Sequence, residues 1–254
     1  MHQPRHDSSR IQFQLERFLF FSDGIFAICI TLLIIEIKVP DHSLHIQTDS
    51  QLWNYLSNNS LDFLSFLISF GIIGHYWLVH HRIFGYAKNY TISLVWINLA
   101  FLFSVVLLPF SSGLVGEFGS NTAMTLPYGI YVANMCFTGL MNCWLWLYVS
   151  NPRRDLLTRR ISRARIELGL YRSLVTPLVF LVAFIISFFL PLVSRLVPVC
   201  IPIILHWGLK WLEKKADQKD MLEVQLAGAG TLSDEEADEA NVTAKPSLSD
   251  VSDT

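Results

Sequence analysis

The chain has 254 residues, of which 52% are hydrophobic and only 16% charged. Charged residues make up about 25% of ordinary soluble domains, so this composition excludes a typical soluble globule and fits a polytopic membrane protein in a lipid bilayer. The formal net charge of -2 is less informative than where the charges fall, and neither nucleic acid nor a cofactor is an expected partner.

Residues 1–16 are polar and are predicted to form a cytoplasmic N-terminal segment. The first apolar stretch is too long for a signal h-region and lacks a small-residue cleavage site, so no cleavable signal is expected. That stretch, RFLFFSDGIFAICITLLIIEIKVP from Arg17 to Pro40, is the most telling part of the chain. It is long enough for a hydrocarbon core of about 30 Å, yet it carries Ser22 and Asp23 near its start and Glu36 near its end. Carboxylates inside a span are costly, and they mark function or a buried partner.

The spans are predicted at about 18–39, 61–84, 91–113, 124–149, 173–193 and 196–212, an all-α unit of six transmembrane helices. Each is apolar on most sides, so the pattern does not tell which face meets lipid. Only Ser194 and Arg195 separate the last two, and Pro177, Pro191, Pro198 and Pro202 interrupt them. Two short spans are favoured there over a re-entrant hairpin. The domain division is therefore 1–16, a transmembrane unit at 17–212, and a tail at 213–254. The tail is acidic, Ser-rich and free of aromatics beyond residue 230, and is predicted to be disordered.

Basic residues set the orientation. Arg5, Arg10 and Arg17 precede the first span, and Arg82 and Lys88 lie between the second and third. Arg153, Arg154, Arg159, Arg160, Arg163, Arg165 and Arg172 lie between the fourth and fifth. Lys210, Lys214, Lys215, Lys219 and Lys245 follow the last. The opposite side keeps only Lys38 and Arg195. The positive-inside rule then places both termini in the cytoplasm. The arginine-rich segment mixes its cations with Asp155 and Glu167 and is predicted to be a cytoplasmic amphipathic linker, not a voltage sensor. Cys29, Cys136, Cys143 and Cys200 lack zinc or disulfide spacing and are expected to be buried thiols.

Asp23 lies about five residues into the first span, roughly 7–8 Å deep at 1.5 Å per residue. His80 and His81 lie at similar depth in the second span, which runs the other way, so an Asp23–His contact is expected. Trp77 and Asn98 are further candidates, and a helix N-cap at Ser22-Asp23 is the structural alternative. His75, His80 and His81 do not share a face well, and no metal site is expected. No P-loop, GxSxG or HExxH motif is present, and no enzyme is expected. Ile28, Thr31, Leu32 and Ile35 share a helix face through i, i+3, i+4, i+7 spacing. On spacing alone this stripe favours helix packing over a pore wall.

Arg17-x-x-x-Phe21-Ser22-Asp23, with Ala27-Ile28, Thr31-Leu32-Leu33, Glu36-Ile37 and Val39-Pro40, resembles the signature of the endolysosomal potassium channel family and its bacterial homologues. Trp77, His80-His81-Arg82 and Phe84, then Asn98 and Leu108-Pro109-Phe110, resemble the family's second and third helices. The likeness covers residues 17–113; the later helices agree only in number and placement.

The resemblance implies a single six-helix unit that assembles as a homotetramer around a pore lined by the first helix, in a bacterial plasma membrane. It implies permeant potassium without a TVGYG filter. The narrowest ring would be Ile28, with Leu32 and Ile35 as outer layers and Thr31 aiding selectivity. Arg17, Phe21, Ser22 and Asp23 would brace the pore helix, together with Trp77, His80, His81 and Asn98. Glu36 would either concentrate cations at the outer mouth or pair with Lys38. A proton-conducting channel is the first alternative, a secondary transporter or non-conducting scaffold the others.

Overall fold

The computed structural model describes residues 5–41, 44–119, 121, 124–158, 161–201, 204, 210–219 and 221. Helix α1 spans Arg5–Leu32 and tightens into a 3₁₀ turn at Leu33–Glu36. Beyond it the chain runs extended into Val39-Pro40, as a residue before proline prefers. The helix passes without a break through Ser22 and Asp23, so the N-cap alternative does not hold: these residues are interior to a helix that starts well upstream.

A short helix α2, Asp49–Asn58, was not expected. A reciprocal capping box starts it, with Gln51 N–H donating to Thr48 Oγ1 and Thr48 N–H donating back to Gln51 Oε1 at 3.2 Å. Then come α3 (Ser60–Phe84), α4 (Ile92–Phe118), α5 (Leu126–Val149) and α6 (Arg163–Ser187). Leu94 N–H finds the Thr91 hydroxyl at the start of α4, and Arg165 N–H the Ser162 hydroxyl at the start of α6. Pro127 occupies the first turn of α5, where a missing N–H costs nothing.

Five helices among the described residues are long and apolar enough to cross a membrane, over Arg10–Glu36, Asp62–Phe84, Ile92–Phe118, Leu126–Val149 and Arg163–Ser187. The expected fifth span at 173–193 is displaced: α6 begins at Arg163, taking the second half of the predicted linker into the helix, and ends at Ser187. A short helix α7, Pro191–Leu196, and a 3₁₀ turn at Val197–Cys200 follow. Residues 202–203 and 205–209 of the expected sixth span, 196–212, lie outside the described residues. Residues 210–219 are helical and pack on α6 through Leu168 and Ala216, so the boundary drawn at 213 falls inside a helix. The expected disordered tail beyond 221 lies outside the described residues.

The bundle is a sheet-free stack in which α1 leans on α3 and α4, α4 on α5, and α5 on α6. Its core is apolar, centred on Phe26, Tyr76, Phe101, Met135 and Phe180. Small polar side chains cross between the helices. The Ser69 hydroxyl meets those of Ser112 at 2.7 Å and Tyr131 at 2.9 Å, Asn134 donates to Ser111 at 3.0 Å, and Asn142 donates to Ser173 at 2.6 Å. Where lipid tails are as apolar as leucine, such bonds and close packing hold helices together.

At the basic end the α3–α4 and α5–α6 connections meet. Lys88 N–H donates to Leu156 O at 2.8 Å, Thr158 N–H to Tyr86 O at 2.9 Å, and Lys88 Nζ pairs with Asp155 at 2.7 Å. The cysteines are free; Cys29 and Cys143 are buried, Cys136 is half-buried, and Cys200 departs from expectation in being exposed.

Candidate functional site

Helix α1 has two unlike faces. Leu15, Ser22, Phe26, Cys29 and Leu33 are buried against the rest of the bundle. Phe21, Ile28, Leu32 and Ile35 are 52%, 59%, 41% and 70% exposed, and Gly24, Ala27 and Thr31 are exposed with them. The stripe that spacing alone favoured for helix packing is therefore left largely exposed by the described residues of its own chain.

A chain of buried hydrogen bonds fixes the rotation of α1. His80 Nε2 lies 2.8 Å from Asn98 Oδ1, Asn98 Nδ2 donates to Ser22 Oγ at 3.0 Å, and Ser22 Oγ donates to Phe18 O at 3.2 Å. All three side chains are fully buried. Because Asn98 spends its amide protons on Ser22 and offers His80 its carbonyl, His80 must be the Nε2–H tautomer. Its ring stacks on Phe101 at 5.7 Å and meets Phe26 at 5.5 Å and Phe84 at 4.7 Å, so one imidazole joins α1, α3 and α4.

The expected Asp23–histidine contact is not made. Asp23 Oδ1 accepts from Trp77 Nε1 at 2.9 Å, while His80 turns inward to Asn98. His81 is exposed and lies against the Trp77 ring, centroids 5.9 Å apart. Of the residues expected to brace α1, Ser22, Asp23, Trp77, His80 and Asn98 are joined. Arg17 and Phe21 lie on the exposed face, with the Arg17 guanidinium 5.9 Å from the Phe13 ring.

Thr31 donates its hydroxyl proton to backbone carbonyls of its own helix, Ile28 O at 2.9 Å and Ala27 O at 3.1 Å. The residue itself lies on the exposed face. A hydroxyl held this way is an acceptor, the kind of group that can replace one water of a hydrated cation.

Glu36 does not pair with Lys38. Lys38 is bonded to Glu117 at the end of α4, and that carboxylate holds its ammonium above the ordinary value of 10.5. The Glu36 carboxylate instead lies over Gly113, where an added Cβ would meet Oε2 at 2.2 Å and the glutamate would have to swing aside. Glu36 shares that recess with Asp62, Ser65 and Ser112. Sequence reasoning missed Glu117, Gly113 and the serines of α3 and α4, whose signal was confined to small or charged residues in otherwise apolar helices. Among the described residues no group of three or more His, Cys, Asp or Glu side chains converges as metal ligands would.

Comparison with known proteins follows the same segment. The family model described as endosomal/lysosomal potassium channel TMEM175 matches residues 17–109. A potassium channel of Streptomyces collinus is 32% identical over 156 residues, covering 59% of this chain and 74% of the relative. An endosomal/lysosomal proton channel, TMEM175 of Gallus gallus, is 34% identical over 111 residues, covering 42% of this chain and 22% of the relative. A crystal structure of a lysosomal potassium-selective channel TMEM175 homolog from Chamaesiphon minutus superposes with a TM-score of 0.63 at 27% identity, covering 78% of this chain and 97% of that one.

Proposed function

The chain belongs to the TMEM175 family of endosomal/lysosomal potassium channels, and from that premise we propose that it is a potassium-permeable channel of an integral membrane protein whose pore is enclosed by several copies of α1. One observation carries this reading above the others. The Ser22–Asn98–His80 chain and the Asp23–Trp77 bond hold one side of α1 against its own bundle, and this leaves Ile28, Thr31, Leu32 and Ile35 on a face that the described residues of the same chain leave exposed. A single chain offers no closed aqueous path. Closed symmetry among identical subunits, here a homotetramer, would bring these faces together around an axis.

In that assembly Ile28 forms the constriction, with Leu32 and Ile35 as outer collars. Aliphatic collars carry no oxygen ligands and gate by dewetting, not by replacing a hydration shell. Thr31, one turn beyond Ile28, supplies the oxygen that favours potassium among monovalent cations. Glu36 faces the outer mouth and raises the local cation concentration. The end bearing Arg10, Arg17, Arg82 and Arg153 faces the cytoplasm, and the membrane is a bacterial plasma membrane.

The test is Ile28→Asn in reconstituted protein. A polar ring wets the constriction, so potassium current rises and the potassium/sodium permeability ratio falls. Unchanged current and ratio would remove Ile28 from the conduction path.

The vertebrate relatives named as proton channels favour a second reading, in which protons are carried as well. Its titratable side chains do not form a line: Asp23 is bonded to Trp77, and His80 is sealed among Asn98 and aromatic rings. Reversal potentials that ignore a pH gradient in potassium-free solution would end it.

A further inference from the structure

A cavity of ≈ 890 Å³ runs along α3. It reaches from Leu64 to Arg82, about 27 Å of helix at 1.5 Å per residue, close to the depth of a hydrocarbon core. Leu67, Phe70 and Leu78 line it on one side, and Pro198, Val199 and Ile201 on the other. Gly71 and Gly74 also face it; a Cβ built on either meets nothing within 4 Å.

Its polar groups are confined to the basic end. Arg82 and Arg172 both line the cavity there. They also line a small adjoining recess together with Arg165. Arg172 is largely shielded and pairs with Glu213. Arg82 is exposed, and both guanidinium groups stand at the same end of the cavity. His75 also lines the cavity, beside the Arg172 backbone.

The geometry points to a binding site for an anionic phospholipid, its phosphate between Arg82 and Arg172 and an acyl chain laid along α3. The chemistry fits at two levels. Paired arginines match phosphate oxygens through planar, multiply donating groups. The apolar, glycine-smoothed slot accepts a flexible hydrocarbon chain, where a peptide helix would need side-chain pockets and backbone satisfaction. Basic pockets between membrane helices on the cytoplasmic side bind acidic headgroups for the same reasons. The cavity adjoins α1 through Trp77, which also holds Asp23, and its occupancy does not depend on which ion passes.

The full-length protein is reconstituted in nanodiscs of phosphatidylcholine with phosphatidylglycerol, then stripped progressively and weighed by native mass spectrometry. Phosphatidylglycerol is expected to be retained in preference to phosphatidylcholine. Arg82→Gln should weaken that retention roughly fivefold, the worth of one basic side chain near an anionic surface, and Arg172→Gln by at least as much. Because Arg172→Gln also frees Glu213, Gly74→Leu provides an independent arm: it fills the slot, leaves both arginines in place, and should abolish retention. Arg153→Gln, an exposed cation at the same end, should change nothing. Equal retention of the two lipids overturns the proposal. So does retention unaffected by Arg82→Gln and Gly74→Leu, an equal loss with Arg153→Gln, displacement of the lipid by millimolar inorganic phosphate, or cross-linking of Leu78→Cys between subunits, which would put a second copy in the slot.

Discussion

Trp77 Nε1 donates to Asp23 Oδ1 across 2.9 Å, joining α3 to α1 next to the buried bond from Asn98 to Ser22. Ser22 and Asp23 are successive residues, about 100° apart on a helix of 3.6 residues per turn. One is tied to α4 and the other to α3. Two anchors at that angle leave α1 no freedom to roll, and so they decide which side chains the rest of the helix shows to the outside.

The Asp23 anchor needs an acceptor, not a charge. Asp23→Asn keeps a carbonyl oxygen for the indole, whereas Asp23→Leu removes it and Trp77→Phe removes the donor. In detergent, Asp23→Asn is expected to melt near the wild type. The other two should lose about 0.5–1.5 kcal/mol each, the ordinary worth of one hydrogen bond. A wild-type melting curve for Asp23→Leu would show that the bond holds nothing.

The buried chain is tested by a double-mutant cycle. Asn98→Leu leaves the His80 N–H without a partner, and His80→Phe keeps the ring packing against Phe26, Phe84 and Phe101 but leaves Asn98 Oδ1 without a donor. Each single change should cost about 1–3 kcal/mol. The double variant should cost less than their sum, by about 0.5–3 kcal/mol, because it removes both orphaned groups together. Strict additivity would mean that the two side chains do not share a bond.

How far the sequence reaches is visible in these residues. Hydropathy located five of the spans, because an apolar run of membrane length is a one-dimensional signal. It placed Asp23, His80 and His81 at one depth, with Trp77 as a further candidate partner, but gave no azimuth. Helices that are apolar on nearly every side carry little periodicity, so the choice between Trp77 and His80 for Asp23 rests on packing that spacing does not encode. Lys38 reaches Glu117, 79 positions away, for the same reason. The start of α6 was misplaced because its first turns are arginine-rich, although Ser162 carried a capping signal, and α2 was overlooked although Thr48 and Gln51 spell a capping box. The stripe at Ile28 was read correctly as one face, but spacing gave it no partner.

Thr31→Val keeps the shape of the side chain and deletes its oxygen. If Thr31 supplies a cation ligand, the potassium/sodium permeability ratio should fall by about two- to tenfold, the equivalent of one hydrogen bond, while current persists through the unchanged aliphatic collars. Bi-ionic reversal potentials measure it. A ratio equal to that of the wild type would assign selectivity to another group.

Close approach of α5 and α6 depends on Gly139. A Cβ there would lie 2.5 Å from Pro177 Cγ, and a proline ring inside a helix has no rotamer with which to yield. Gly139→Ala should therefore destabilise the bundle by about 1–3 kcal/mol through overpacking, despite the better helix propensity of alanine. Thermal melting of the detergent-solubilised protein reads the effect, and an unchanged or raised midpoint would contradict the close contact.

At the opposite end the pair Lys38–Glu117 sits beside Glu36, so its balance of charge should be felt at the outer mouth. Glu117 holds the Lys38 ammonium above its ordinary value, so Lys38 stays charged through neutral pH and loses its proton only in alkaline solution. Lys38→Gln removes that positive charge and leaves the carboxylates of Glu36, Asp62 and Glu117 near the entrance. Inward potassium conductance should rise at about 0.01 M ionic strength, where the screening length is about 30 Å. It should match the wild type at about 1 M, where that length is about 3 Å. Glu117→Gln should act in the reverse sense, because it leaves the ammonium without its counter-charge. A conductance change that persists undiminished at high salt would point to an altered helix position instead of a field, and no change at low salt would place this pair away from the ion's path.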